Sequence, residues 1–70
     1  MRIIDKMSPF SLEEGDTLFL EFGELDVVSV DSVDEGYNII VTDMYMEEMS
    51  MFVKNDETVP VVVGYDELDI

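Results

Sequence analysis

The sequence predicts an all-β fold: a small, strongly bent antiparallel sheet, or an SH3-like or OB-like barrel, of about five to six short strands. Three observations lead there. Alternating or β-branched runs recur at intervals of roughly ten residues, separated by Gly, Asp and Asn. The hydrophobic fraction is 47%, enough for a packed core and too high for a disordered acidic tail. The chain has only 70 residues, too few for two full sheets, so a curled single sheet is the economical way to bury an apolar face. Residues 1–64 read as one β domain and residues 65–70 as an acidic C-terminal tail.

The opening Met1-Arg2-Ile3-Ile4-Asp5-Lys6 has an acid where a signal peptide needs an apolar stretch, and no apolar run approaches the ~18 residues that cross a bilayer. The expected location is the cytoplasm, or the host cytoplasm if the chain is phage-encoded. Ser11-Leu12-Glu13-Glu14 fits a capping box, with room for one short helical turn near 11–14 before Gly15-Asp16. Thr17 to Phe22 then alternates, with Leu18, Leu20 and Phe22 on one face. Leu25 to Asp31 is rich in β-branched residues, and strict alternation puts Val28 and Val30 on a shared face.

Asp34-Glu35-Gly36 offers a tight turn whose glycine can take positive φ. Tyr37, Ile39 and Val41 follow on one side of the next strand, so residues 27–33 and 37–43 form the clearest hairpin. Asp43 to Val53 reads two ways. A helix would be capped by Asp43 and lined by Tyr45, Met49 and Phe52. A hairpin would turn at Glu47-Glu48 between Met44–Met46 and Met49–Val53. The strand-rich surroundings favour the hairpin. Asn55-Asp56-Glu57 is a loop, and Val59, Val61 and Val63 alternate beyond it, with Pro60 confining that strand to an edge or a strand start.

Charge dominates function. Against 18 Asp and Glu stand 3 Lys and Arg, a formal net charge of −15, well beyond the magnitude of roughly 2–8 that keeps a small domain soluble. Phosphate and anionic lipid are both repelled, so direct nucleic-acid and membrane binding are not expected. With no His and no Cys, the commonest general base, the thiolate nucleophile and thiolate metal sites are all missing. The serines lack an imidazole to activate them. Paired carboxylates need a substrate cleft and separated pKa values to hydrolyse glycosides. Asp31-Ser32-Val33-Asp34-Glu35-Gly36 lacks the ligand spacing and bidentate glutamate of an EF-hand. The expectation is no enzyme, no cofactor and no dedicated metal site.

What remains is capture of a basic protein. Carboxylates at i and i+2 of a strand point the same way, so a row of them can imitate a nucleic acid backbone. Glu21, Glu24, Asp26, Asp31, Asp34, Glu35, Asp43, Glu47 and Glu48 are the candidate row, with Tyr45 as an apolar anchor. The partner expected is a basic protein, specifically a nucleic-acid-binding enzyme, and the mode is that of small phage-type inhibitors. The alternative is a small structural or adaptor subunit of a larger assembly, with acidity serving solubility or salt adaptation. That alternative expects an exposed apolar patch or an unpaired edge strand near Val59 to Val63. The methionines between Met44 and Met51 read as gap-fillers of a small core before they read as a binding surface. The tail Tyr65 to Ile70 is a weaker binding candidate, with Leu68 and Ile70 as its anchors.

Overall fold

The computed structural model describes residues 1–21 and 23–65. Six antiparallel strands form one sheet: β1 (Arg2–Met7), β2 (Thr17–Leu20), β3 (Gly23–Val33), β4 (Gly36–Thr42), β5 (Glu48–Lys54) and β6 (Val59–Tyr65). Their spatial order is β1-β6-β2-β3-β4-β5, so β1 and β5 are the two edges. The all-β antiparallel prediction holds, and of the two architectures offered it is the open bent sheet that forms. The ends do not meet, so no barrel closes.

The register explains which residues enter the core. Leu18 stands opposite Leu25 on one side and Val61 on the other, and this position joins the β1–β6 pair to the remaining strands. Leu18 is fully buried. On β4, Ile39 and Val41 are buried and Tyr37 packs against them, following the alternation read from the sequence. Val53, Val59 and Val61 complete this face, and Leu12 folds over it from the segment before β2. Among the described residues no polar or charged side chain is buried, so core stability is apolar burial alone.

Strict alternation fails once in β3. Val27 pairs with Val41 and Ser29 with Ile40, which leaves Val28 as the extra residue of a bulge. Val27 and Val30 therefore share the core face, not Val28 and Val30, and Val28 is exposed. A second bulge lies where Ile3 and Ile4 meet Gly64 and Val62, leaving the exposed Val63 outside the alternation.

Four local readings are corrected. The helical turn is a 3-10 turn at Pro9–Ser11, not 11–14. Pro9 presets the helical φ at the first position, and Ser8, not Ser11, caps it by accepting the Phe10 N–H at 3.3 Å. Gly36 has no positive φ. It is glycine because β5 passes too close, since a Cβ there would lie 2.2 Å from the Val53 carbonyl oxygen. The 43–53 segment is neither a helix nor a hairpin turning at Glu47-Glu48. Its turn lies at Met44-Tyr45, and β5 pairs with β4, not with Met44–Met46. Finally, β6 is an interior strand, paired with both β1 and β2, so no unpaired edge exists at Val59–Val63. Pro60 is tolerated as its second residue, the strand-start option.

β1 was not anticipated, and Tyr65 belongs to β6 and not to a tail. The facing of Phe22 and the anchors Leu68 and Ile70 lie outside the described residues.

Candidate functional site

The face of the sheet opposite the core gathers four of the candidate acids. Asp26 pairs with Thr42, and Thr42 with Glu48, so one row crosses β3, β4 and β5. At a strand spacing of about 4.8 Å, Asp26 and Glu48 stand roughly 10 Å apart. Glu24 lies two residues from Asp26 on β3, about 6.6 Å along the same face. Asp31, opposite Asn38, extends this face toward the far end of β3. Side chains of Thr, Ser and Asn, with the apolar Ile40 and Phe52, lie between the acids, and the Thr17 hydroxyl donates to Asp26 Oδ1 at 3.2 Å.

The β4–β5 loop continues the row, and Asp43 builds that loop. Its Oδ1 accepts the backbone N–H of Tyr45 at 2.8 Å and of Glu47 at 3.0 Å. The Met46 N–H donates to the Asp43 carbonyl at 3.0 Å, and Met46 takes a left-handed φ of 66°. Wound this way, the loop turns Met44, Tyr45 and Met46 outward, at 82%, 78% and 79% exposure. Met44 and Met46 are therefore not core fillers, whereas Met7 and Met51 do pack against the core. Glu47 and Glu48 flank this apolar tip and are exposed.

Beside the loop is a cleft of about 260 Å³, between Gly23, Glu24 and Leu25 on one side and Asp43, Met44 and Tyr45 on the other. Apolar walls with two carboxylates suit a Lys or Arg side chain, stem against the walls and cationic head at the acids. Both carboxylates already have partners, Asp43 Oδ1 in the N–H groups of its own loop and Glu24 in a cation. Arg2 forms an ion pair with Glu24, and its guanidinium lies 5.0 Å from the Phe19 ring centroid. The hydrogen bond that Arg2 Nε donates to Glu24 Oε2, reinforced by the carboxylate's charge, holds the Arg2 pKa above its ordinary value. Glu21 is exposed in the β2–β3 turn.

Asp34 and Glu35 are not part of this cluster. They form the turn of the β3–β4 hairpin, the whole length of β4 away from Asp43, in a molecule 48 Å along its longest axis. There they meet acids that sequence reasoning left out of the site. The Asn55 N–H donates to the Glu35 carbonyl at 3.1 Å, and Glu57 Oε1 accepts the Lys54 N–H at 2.9 Å, which brings Asp56 and Glu57 beside the hairpin tip. The signal was the length of the two loops, since a hairpin ending at 54 must place 55–57 next to 34–35. The candidate row is thus two clusters joined by Asp31.

Among the described residues, no group of three or more His, Cys, Asp or Glu side chains is placed to hold a metal ion. Nor is any helix long and apolar enough to cross a membrane. Comparison with protein-family models, with curated proteins and with solved structures returned no match.

Proposed function

We propose that this chain is an acidic protein-binding module that occupies the cationic site of a DNA- or RNA-binding protein, in the manner of small phage-type inhibitors. The observation that carries the reading is the gathering of Glu24, Asp26, Asp31 and Glu48 on one sheet face, continued at one end by Asp43, Glu47 and the exposed Tyr45. Binding is competitive. The carboxylates take the place of phosphates in a basic groove, and the Met44–Met46 tip supplies apolar contact that phosphate cannot. The cleft beside Tyr45 receives one basic side chain of the partner.

The test is a pull-down from nuclease-treated, nucleic-acid-rich lysate, eluted with a salt gradient. The expected result is a discrete nucleic-acid-binding enzyme that elutes steeply with salt and is displaced by duplex DNA. A diffuse set of basic proteins, none displaced by DNA, overturns it. The adaptor-subunit reading keeps one supporting observation, an open sheet edge, but at β5 instead of Val59–Val63.

A further inference from the structure

The two edges of the sheet are unlike. β1 carries Arg2, Asp5 and Lys6, and its pairing with β6 is bulged; charges and a bulge are the usual devices that stop an edge from pairing with another chain. β5 has neither device along its middle. Met49-Ser50-Met51-Phe52-Val53 runs uncharged, without proline and without a register shift against β4. Met49 and Phe52 are 39% and 47% exposed. On the core side, a groove of about 270 Å³ opens between Leu20, Leu25, Val41, Met49 and Met51. An edge of this kind, left bare, is an invitation to strand addition.

The two charges of β5 say which strand fits. Glu48 begins the strand and Lys54 ends it, each three residues from Met51. When β5 meets a second β5 antiparallel about a two-fold axis at Met51, Glu48 of each copy faces Lys54 of the other. Met49 then faces Val53, Ser50 faces Phe52, and Met51 faces its own counterpart. Directly opposed residues of an antiparallel pair share a face, and this register respects the faces already set by β4. Glu48, Ser50, Phe52 and Lys54 remain on the polar side, and Met49, Met51 and Val53 on the core side, where they close over the groove. A two-fold interface must be self-complementary, and this strand is.

We propose that the chain forms a two-fold dimer through β5–β5 pairing centred on Met51, making one continuous sheet from two copies. The proposal does not rest on the nucleic-acid-mimic reading, and its salt dependence has the opposite sign. Two bodies of charge −15 repel, so added salt tightens the dimer, whereas it loosens capture by a basic groove.

The test is sedimentation equilibrium of the full chain at low and high salt, with charge-reversed variants. The wild-type chain sediments as a dimer, more tightly at high salt. Glu48→Lys or Lys54→Glu alone turns two attractive cross-strand pairs into repulsive ones and weakens the dimer by roughly 30-fold. Both side chains are exposed, so the variants keep the wild-type circular dichroism. Mixed in equal amounts, the two variants restore both pairs and form a heterodimer. Under oxidation Met51→Cys cross-links to itself, while Val53→Cys, facing Met49, does not. A monomer at every salt concentration overturns the proposal, as it would if β5 instead takes a strand from a different, basic protein. A dimer indifferent to both reversals overturns the register and with it the proposal.

Discussion

Asp43 holds the loop that presents Tyr45, and its two substitutions separate structure from charge. Replacing it with Ala removes the acceptor of the Tyr45 and Glu47 N–H groups, at 2.8 and 3.0 Å. A hydrogen bond to a charged acceptor is worth about 1.5–3 kcal/mol when sheltered. Here the released N–H groups regain water, so the pair together is worth about 1–2 kcal/mol. A domain of 70 residues has a total stability of roughly 3.5–10 kcal/mol, and each kcal/mol moves Tm by about 4–8 °C at this size. Asp43→Ala is therefore expected to lower Tm by roughly 5–15 °C and to speed amide exchange at Tyr45 and Glu47. Asp43→Asn keeps a side-chain oxygen where Oδ1 sits and should change stability by no more than about 0.5 kcal/mol. Thermal unfolding and hydrogen exchange of both variants read this out. Equal Tm and equal protection in Asp43→Ala would refute the claim that the carboxylate winds the loop.

Three further outcomes are expected. Leu18→Ala empties a fully buried position shared by β2, β3 and β6, and should cost about 3–5 kcal/mol by urea denaturation, enough to unfold a large fraction of the chain. Gly36→Ala drives a Cβ into backbone atoms, 2.2 Å from the Val53 oxygen and 2.9 Å from Lys54 Cα, and should cost about 2–3 kcal/mol while loosening exchange protection on β5 more than on β1. Arg2→Ala releases Glu24 and should tighten binding to a basic partner by a few-fold in a titration. The Arg2 pKa is raised, so whatever the ion pair adds to stability is complete below the ordinary Arg range and is lost only as pH rises through the raised value. The stability difference between wild type and Arg2→Ala should accordingly be flat across neutral pH.

Elements whose pattern is local were legible in the sequence. Tyr37, Ile39 and Val41 alternate because β4 itself carries no extra residue, the bulge of its pairing with β3 lying at Val28, and the hairpin at 34–36 has only one turn available to it. β1 was hidden because an edge strand need not alternate: Ile3 and Ile4 are adjacent and both exposed. The Val28 bulge and the placing of β6 between β1 and β2 depend on partners far away in the chain, which periodicity does not encode. Pro60 left both an edge and a strand start open, and only the pairing of β6 with β1 and β2 decides for the strand start. At the site, residue types were legible and their grouping was not. Asp34 and Glu35 are near Asp43 in sequence but a strand length away in space, and Asp56 and Glu57 join them only through the β4–β5 register.

The split into two clusters provides the decisive comparison. With the captured nucleic-acid-binding protein in hand, binding is titrated over a salt series for Glu47→Lys/Glu48→Lys and, separately, for Asp34→Lys/Glu35→Lys. Because Glu48 also enters the proposed dimer seam, Glu47→Lys alone, which lies outside β5 and leaves that seam unchanged, is titrated alongside. If the carboxylates around Tyr45 stand in for phosphates, the Glu47/Glu48 reversal weakens binding by at least about ten-fold and flattens the slope of log affinity against log salt, with a smaller loss at the hairpin tip. Unchanged affinity and slope after the Glu47/Glu48 reversal would mean that this acidic face is not the binding surface.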